Sequence, residues 1–345
     1  MLFGTSGIRG DATKLFTDQF CFDIGRTFAK FLEKHGVRGS IGIGMDPRES
    51  SQRIKEGITG GILYECRSVF DEGFAPSPAM NYILIADPNI AGSIMITGSH
   101  IRADFNGIKF FAFQKEILKE HEKEIEKIYG EIKGSVKRIV IKDKRSISNK
   151  YNERMIDNNG TSRRGINNSY RANRLYQKML LSLVEHYPKW KIVLDLGNGC
   201  QSKIMPGLFE KLNLETIIIN NDPRPDTFIA RDTEVKEAVV DLQAKVKETG
   251  AILGIAYDGD GDRVVFVDED GRFIPGDYTG ALIAKYSDTP VVITPINVSQ
   301  VIEHIGKPVI RTKVGSPYVV KAMEENGATF GFEANGGGIS KDVML

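Results

Sequence analysis

Three things are scarce in this chain of 345 residues: cysteine, an excess of charge of one sign, and long apolar runs. The three cysteines, Cys21, Cys66 and Cys200, lie far apart and form no Cys-x-x-Cys pair. Such spacing argues against both a disulfide framework and a cysteine-based zinc site. A reducing compartment is the simplest setting for this chain, and we predict a cytoplasmic location.

The charges of the chain nearly cancel, since 46 Lys and Arg residues face 45 Asp and Glu residues and leave a net charge of +1. A general nucleic-acid-binding protein normally shows a basic excess, so we predict no nucleic-acid partner. No apolar run approaches the length that crosses a bilayer, and the N-terminus lacks a charged-then-apolar signal pattern. We therefore predict no association with a membrane.

Short apolar strands alternate with amphipathic helical stretches along most of the chain, which is typical of α/β layers. One example is a helix beginning near Thr17 with a single apolar face, and another helix is predicted to begin at Val298. The elements fall into three similar blocks, which predicts domains at residues 1–150, 151–252 and 253–345. A polar stretch from about residue 142 to 168, including Arg163 and Arg164, predicts a linker.

The most informative segment is Asp258-Gly259-Asp260-Gly261-Asp262-Arg263. Three carboxylates this close repel one another unless a cation neutralises them. Mg²⁺ fits this pattern because it prefers oxygen ligands and commonly shares its coordination shell with a phosphate. Arg263 is placed to bind a phosphate or to pair with an aspartate.

Two other interpretations of the same loop are possible. An EF-hand would place aspartates at these alternate positions and Glu269 at its last position, but it also requires glycine where Arg263 stands and a helix where Val264–Val267 predicts a strand. The other interpretation is a solvated acidic turn, which the apolar runs on both sides disfavour.

A second segment, Thr97-Gly98-Ser99-His100, follows an apolar strand and precedes Asn106-Gly107-Ile108-Lys109. Open α/β sheets bind ligands at the carboxyl ends of their strands, so Ser99 is a candidate nucleophile or phosphoryl carrier. His100 and Lys109 are candidates for proton transfer or charge stabilisation. Taken alone, the segment is equally compatible with an ordinary strand-loop-strand.

Together these segments resemble the α-D-phosphohexomutase superfamily, which includes phosphoglucomutases, phosphomannomutases and phosphoglucosamine mutases. The resemblance rests on four segments in the family's order: Phe3–Gly10, Thr97–Lys109, Asp258–Arg263 and Phe332–Gly337. It spans nearly the whole chain. The fold class that follows is α/β, with three consecutive similar α/β domains, mixed sheets, and an active site in the cleft between them.

The resemblance also implies roles for individual residues. Ser99 would carry the phosphoryl group, and one Mg²⁺ would be bound by Asp258, Asp260, Asp262 and an oxygen of that phosphate. Catalytic roles would fall to Arg9, His100, Lys109 and Arg263. Substrate-binding roles would fall to Lys313, Gly315, Ser316, Glu333 and Asn335.

The implied reaction interconverts the 1- and 6-phosphates of a hexose (glucosamine, glucose or mannose) through a bisphosphate intermediate. The sequence does not select the sugar or the oligomeric state. Four features depart from the family pattern. Ile101-Arg102 replaces Asn-Pro, and Arg102 is expected to add a charge beside the phosphate. Gly337 replaces a common histidine, Ser316 replaces the polar or charged residue usual there, and no Arg-Ser-Gly-Thr phosphate clamp follows Glu333. Because such a clamp supplies remote binding energy, we expect the polypeptide alone to be weak or inactive, as a fragment or as a naturally shortened protein.

Two alternatives of another kind remain. A non-catalytic paralogue that binds a sugar phosphate or a partner chain is compatible with the altered loop and the absent clamp. Dinucleotide binding at Gly197-Asn198-Gly199 is weakly suggested, because Ser202 stands where the third glycine of that fingerprint belongs.

Overall fold

The computed structural model describes residues 2–137, 166–168, 170–185 and 187–341. The described strands form three separate mixed sheets with helices packed against them. We call the parts around these sheets the first block (residues 2–168), the second block (residues 170–274) and the third block (residues 275–341). The expected α/β class with three domains and mixed sheets is confirmed.

The first block contains a sheet with the order β1-β5-β4-β2-β3-β7 and β6 paired to β5. Strand β4 is parallel to β2 and antiparallel to β5, so the sheet is mixed. Its elements are β1 (Ile8–Asp11), α1 (Asp18–Lys34), β2 (Ser40–Met45), α2 (Ser51–Tyr64), β3 (Val69–Phe74), α3 (Ser77–Ala86), β4 (Ile90–Ile96), β5 (Phe105–Ala112), β6 (Lys115–Glu116), α4 (Lys119–Ile132) and β7 (Ile166–Asn168).

Helix α1 begins where the sequence predicts it. The Thr17 hydroxyl accepts a hydrogen bond from the Phe20 amide, and Asp18 and Lys34 carry charges that favour the helix dipole at each end. The apolar face of this helix is buried in the core of the first block. Helical propensity and burial therefore favour the same segment.

The second block contains a sheet with the order β12-β11-β10-β8-β9. Strand β10 is parallel to β8 and antiparallel to β11. Its elements are α5 (Arg171–Leu183), β8 (Lys191–Asp195), a 3₁₀ turn (Cys200–Lys203), α6 (Met205–Lys211), β9 (Glu215–Ile219), a 3₁₀ turn (Lys236–Val239), α7 (Val240–Thr249), β10 (Leu253–Tyr257), β11 (Val264–Asp268) and β12 (Phe273–Ile274).

This second sheet differs from the predicted division at residue 252. Strands β10 to β12 pair with β8, so the loop Asp258–Arg263 lies on the second sheet and not on the third. Strand composition is alike in the two blocks, and the pairing partner of β10 cannot be read from composition. We propose a boundary near residue 275.

The third block contains a sheet with the order β14-β13-β15-β16. A helix was expected from Val298, but the structure has only a short 3₁₀ turn there, preceded by the bend after Pro295. Its elements are α8 (Gly276–Tyr286), β13 (Val292–Pro295), the 3₁₀ turn (Gln300–His304), β14 (Val309–Thr312), α9 (Ser316–Asn326), β15 (Phe330–Phe332) and β16 (Gly338–Ser340).

Several elements were not predicted from the sequence, among them helix α3 and four short strands, β1, β6, β12 and β16, besides strand β7. Helix α3 is buried between the first and second blocks, within one apolar cluster that also includes Tyr176 and Leu194, so it lacks the polar face that marks an amphipathic helix. Strand β7 lies in the stretch predicted to be a linker and pairs with the edge of the first sheet. Arg163 and Arg164 lie outside the described residues.

Among the described residues, none of the helices has both the length and the apolar character that a membrane crossing requires.

Candidate active site

Ser99 lies just beyond the carboxyl end of β4, in a strained and buried backbone position. Its φ angle is +52°, a left-handed conformation that is uncommon for a residue other than glycine, and the residue is 1% exposed. The Ser99 amide donates to the Thr97 hydroxyl at 2.7 Å, which fixes the turn. Backbone strain of this kind is usual where a side chain is held for a chemical role.

Arg48 holds the loop that carries Ser99. Its guanidinium donates to the main-chain carbonyls of Ser99 (2.8 Å), Ile101 (2.7 Å), Arg102 (2.5 Å) and Phe105 (3.0 Å). These are the donors of a planar fork, which a lysine cannot replace. The loop is therefore fixed by a side chain from another part of the sheet.

Asp46 in turn fixes Arg48. The Asp46 carboxylate accepts from Arg48 Nε at 2.9 Å, and from the hydroxyls of Ser51 and Thr97 at 2.8 Å each. Both Asp46 and Arg48 are buried. Several hydrogen bonds, together with the attraction between the two charges, offset the cost of removing these charges from water.

The loop Asp258–Arg263 is a hairpin turn between the antiparallel strands β10 and β11. A strand therefore follows it, as predicted, and no EF-hand is formed. One oxygen from each of Asp258, Asp260 and Asp262 lies within 4.8 Å of the others. The Ser99 hydroxyl donates to Asp258 Oδ2 at 2.7 Å, so the first and second blocks meet at the predicted phosphoserine and the predicted metal loop.

Lys109 and Ser77 contact the same carboxylates. Lys109 Nζ donates to Asp260 Oδ2 at 2.7 Å and to Asp262 Oδ2 at 2.5 Å. The Ser77 hydroxyl donates to Asp260 Oδ2, and its amide donates to the Asp260 carbonyl at 2.9 Å. The Lys109 ammonium therefore neutralises part of the negative charge of the carboxylates.

The pKa values of these groups follow from burial and mutual charge. Burial, followed by repulsion from the other two aspartates, raises the pKa of Asp258 well above its usual value. Burial opposes ionisation of Asp260 too, but the Lys109 ammonium outweighs it, and the pKa of Asp260 is lowered. Burial alone would lower the pKa of Lys109, yet Asp260 and Asp262 raise it.

This arrangement fits a divalent cation. Burial and the two neighbouring carboxylates oppose ionisation of Asp258, and a bound cation would favour it. The second oxygens of Asp260 and Asp262 are buried without a hydrogen-bond partner. Unsatisfied carboxylate oxygens are costly inside a protein unless a ligand compensates them. An oxygen-only donor set suits Mg²⁺ better than a softer metal.

A cavity of about 390 Å³ opens beside the three carboxylates, and residues of all three blocks line it. Of the residues predicted to act in the site, nine line it: Arg9, His100, Lys109, Asp262, Arg263, Gly315, Ser316, Glu333 and Asn335. Ser99, Asp258 and Asp260 are buried beside it. Lys313 is exposed and outside the lining, with Nζ 5.8 Å from the centre of the Tyr318 ring.

The cavity is lined by cationic, anionic and neutral polar side chains. Burial, with the positive charges of Arg263 and Arg9, lowers the pKa of His100 to about 4, so His100 is neutral near pH 7. The His100 Nδ1 atom lies 3.4 Å from the Ser99 hydroxyl. Arg263 Nη1 is buried without a hydrogen-bond partner, which leaves one guanidinium donor for a ligand.

Glu333 and Asn335 lie in the turn between β15 and β16. The Asn335 carbonyl accepts from the Thr233 hydroxyl at 2.7 Å, and its side-chain oxygen accepts from the Gly337 amide at 2.8 Å. Burial raises the pKa of Glu333, with Arg263 acting in the opposite direction. The turn is thus fixed by the second block while its carboxylate faces the cavity.

One expectation about the Ser99 loop differs in the structure. Arg102, which was expected to place a charge beside the phosphate, is exposed and pairs with Asp104 at 2.8 Å. It lies outside the lining of the cavity. Arg48 binds the main-chain carbonyls of the loop, and the Arg102 side chain lies at the surface beside Asp104.

Sequence reasoning missed Asp46, Arg48 and Ser77, although a signal was present. All three follow strands, β2 or β3, that run parallel to β4, and Met45 is in register with both Ile96 and Phe74. Parallel strands present their carboxyl ends at one edge of a sheet, so polar residues after each of them meet there. The same reasoning that selected Ser99 would have selected these residues.

Comparison with known proteins gives the family. Three family models match: phosphoglucomutase/phosphomannomutase alpha/beta/alpha domain I at residues 1–135, domain II at residues 173–271, and domain III at residues 275–344. The second match ends close to the boundary proposed above.

Individual relatives agree with these matches. A phosphoglucomutase/phosphomannomutase of Thermococcus kodakarensis is 31% identical over 100% of this chain and 74% of its own length. A phosphoglucosamine mutase of Caldicellulosiruptor bescii is 32% identical over 97% of this chain and 73% of its own length. The crystal structure of a phosphoglucomutase/phosphomannomutase family protein from Burkholderia thailandensis superposes with a TM-score of 0.79 at 22% identity, covering 100% of this chain and 73% of that one. The chain therefore belongs to the α-D-phosphohexomutase superfamily, whose named members here are mutases.

Proposed function

We propose that this chain interconverts hexose 1-phosphates and 6-phosphates through a phosphoserine at Ser99 and a bisphosphate intermediate. The observation that carries the proposal is the position of the Ser99 hydroxyl, 2.7 Å from Asp258 within the carboxylate group and beside a cavity lined by Arg9, Lys109 and Glu333. A phosphoryl carrier, a cation site and a polar cavity are therefore contiguous.

One Mg²⁺ would be held by Asp258, Asp260 and Asp262, with an oxygen of the Ser99 phosphate as a further ligand. When bound, it supplies neutralisation of charge on the phosphoryl group as that group leaves one oxygen for another. The buried, unpartnered oxygens of Asp260 and Asp262 support this assignment.

The remaining residues have separate roles in phosphoryl transfer. The bond from the Ser99 oxygen to phosphorus breaks and a bond from phosphorus to a sugar hydroxyl oxygen forms, while the sugar hydroxyl proton passes to a base and the released Ser99 oxygen takes up a proton. His100, neutral near pH 7 and 3.4 Å from the Ser99 oxygen, is suited to accept that proton. Lys109 is held protonated by its aspartates, so it acts as a fixed cation that offsets charge on the phosphoryl group. Arg9 and Arg263 orient the phosphate groups.

The sugar would be held on the opposite wall. Glu333 accepts and Asn335 both accepts and donates hydrogen bonds, which suits neighbouring ring hydroxyls. Gly315 and Ser316 line the same wall. We assign Lys313 to the substrate by family resemblance, with the side chain moving inward from its exposed position when substrate binds.

The sugar is proposed to be glucosamine, glucose or mannose, because relatives of this chain are named for glucosamine and for the other two sugars. We retain the proposals of a cytoplasmic location and of no membrane partner, and the near-neutral net charge supports the proposal of no nucleic-acid partner.

The test is intact-mass measurement of the protein with Mg²⁺ and a hexose 1,6-bisphosphate, followed by addition of each hexose monophosphate. We expect one phosphoryl group to be gained and then lost, and the Ser99→Ala variant to gain none. Ser93→Ala is the matched control, because Ser93 is buried on the same strand and donates to the Met80 carbonyl, away from the cavity.

A failure of Ser99 to accept or donate the group in the wild-type chain would overturn the mutase proposal. Retained binding of the hexose phosphate under those conditions would favour the non-catalytic binding protein instead.

A further inference from the structure

Glu116 joins two parts of the cavity wall that are distant in sequence. It lies on β6, which pairs with the strand that carries Lys109. The Ser6 hydroxyl donates to Glu116 Oε1 at 2.7 Å, and the Ser316 hydroxyl donates to Oε2 at 2.7 Å. Ser6 precedes strand β1, which carries Arg9, whereas Ser316 begins α9 of the third block.

All three of these residues line the cavity, and all three are half-buried. The backbones beneath them also approach closely. Gly315 has a φ angle of +126°, and a Cβ atom placed there would lie 3.0 Å from Thr5 Cγ2. The loop before α9 is therefore seated on the N-terminal loop of the first block, with Glu116 bridging the two.

Ion pairs near the surface also join the first and third blocks, but they contribute less to stability than the Glu116 hydrogen bonds do. Lys321 pairs with Glu120 at 3.9 Å with both side chains more than half exposed, and Lys115 pairs with Glu324 at the rim. Exposed ion pairs contribute little to stability because water screens them. Hydrogen bonds to a half-buried carboxylate are stronger, since the acceptor is ionised.

We propose that Glu116 is a positioning residue that closes the active-site cavity by fixing the start of α9 to the N-terminal loop. Its role is to set the distance between the wall bearing Arg9 and Lys109 and the wall bearing Ser316. It does not transfer a proton or a phosphoryl group. The effect on substrate binding rests on the proposed function, whereas the bridge between the blocks does not.

The test that is independent of activity is a distance measurement between the first and third blocks. Spin labels are attached at Glu56→Cys on α2 and Glu325→Cys on α9, both exposed, in a Cys66→Ser background, since Cys21 and Cys200 are buried. We expect a longer and broader distance distribution for Glu116→Ala. Glu116→Gln should restore the wild-type distribution, because its carboxamide can still bond both hydroxyls. Glu324→Ala, which removes the rim ion pair alone, should leave it unchanged.

The test that depends on activity uses the same variants. We expect KM for the hexose phosphate to rise about tenfold in Glu116→Ala with kcat changed less than about threefold, as for lost positioning of a substrate wall. Ser6→Ala, which removes the other hydroxyl donor to Glu116, should raise KM in the wild-type background and have no further effect in the Glu116→Ala background, because both changes break the same bridge.

An unchanged distance distribution in Glu116→Ala overturns the bridge, whatever the activity. A changed distribution with an unchanged KM overturns the positioning role. If the wild-type chain turns over no hexose phosphate, the proposed function fails, and the spin-label distances still decide the bridge.

Discussion

At the scale of single residues, the position of Ser99 depends on a side chain from another loop. Arg48 binds four carbonyls of the segment from Ser99 to Phe105 and is itself bound by Asp46. Removal of the guanidinium would take the counter-charge from the buried Asp46 carboxylate and a side-chain donor from each of those carbonyls, and both losses are costly. The loop's geometry is therefore set before any ligand arrives.

We predict that Arg48→Lys slows phosphorylation of Ser99 about tenfold and lowers the free energy of unfolding by about 2 kcal/mol, since an ammonium cannot reach four carbonyls at once. The phosphorylation rate is measured by quenched-flow mass spectrometry. Arg53→Lys is the matched control: Arg53 also donates to main-chain carbonyls, those of Ala12 and Phe16, but away from the cavity. Equal rates for the two variants would contradict the role of Arg48.

The second residue-scale prediction concerns metal. At about a hundredfold excess over its dissociation constant, a ligand that binds only the folded state adds about 2.7 kcal/mol to the free energy of unfolding. We therefore expect Mg²⁺ to raise the Tm of the wild-type chain, and removal by EDTA to reverse the rise. Asp262→Asn should abolish most of this shift. Asp268→Asn, which removes a carboxylate from the following strand, should preserve it; loss of the shift in both variants would argue against the site.

At the scale of elements, two helical glycines have opposite structural roles. Gly280 lies on α8, and a Cβ atom there would lie 2.1 Å from the Phe332 ring. Gly130 lies on α4 with no atom within 4 Å of the same position. Both glycines lie inside a helix, and the packing around each position decides whether a Cβ atom fits there.

We predict that Gly280→Ala lowers the free energy of unfolding by about 2 kcal/mol, because overpacking outweighs the gain in helix propensity. Gly130→Ala should raise it by about 0.5 to 1 kcal/mol for the propensity alone. Urea denaturation of the two variants provides the measurement. If Gly280→Ala instead stabilised the chain, the Phe332 ring would have to move aside at little energetic cost, and the overpacking argument would be wrong.

Helix α4 also has a carboxyl group with an unusual pKa. Burial raises the pKa of Glu122 from 4.5 to about 7, although Lys119 donates to it. The folded state therefore binds more protons than the unfolded state between these values, and the contribution of Glu122 to stability is present below pH 4.5 and is lost as the pH rises through about 7.

We predict that Glu122→Gln has little effect at pH 4 and stabilises the chain by about 1 kcal/mol at pH 8, after allowance for solvent screening. Glu124→Gln on the same helix should show the opposite trend, because Lys34 and then His35 lower the pKa of Glu124. Urea midpoints at the two pH values test both variants. The same difference at both pH values would contradict the assignment.

At the scale of the whole molecule, the blocks are joined unequally. The first and second blocks share a continuous apolar cluster around α3 and α5. The third block has its own small apolar clusters and meets the others mainly through α8, the Glu333 turn and the loop before α9. The cavity lies where the third block meets the other two.

We predict that calorimetry resolves two unfolding transitions, one for the first and second blocks together and one for the third. Mg²⁺ should raise only the first of these, because all of its proposed ligands lie in the first two blocks. Gly280→Ala should lower only the second, which identifies it. A single transition that moves as a whole with Mg²⁺ would contradict this division.

Several features of the site were open to prediction from the sequence because they depend on local order. Asp258, Asp260 and Asp262 stand at alternate positions of one short segment, and Ser99 lies shortly after an apolar strand. The α/β class and the first helix follow from periodicity and capping. Helix α3 was missed because it is apolar around most of its surface and so lacks the periodicity that marks an amphipathic helix.

The sequence alone therefore determined the kind of chemistry: an oxygen-ligand cation site, a serine beside it, and the family to which both belong. Only the tertiary structure decided that the metal loop lies on the second sheet, that Arg48 and Ser77 hold the site, and that Glu116 bridges the first and third blocks. The physical reason is that strand pairing and contacts between distant side chains arise from packing of the whole chain, whereas residue type and spacing are local properties.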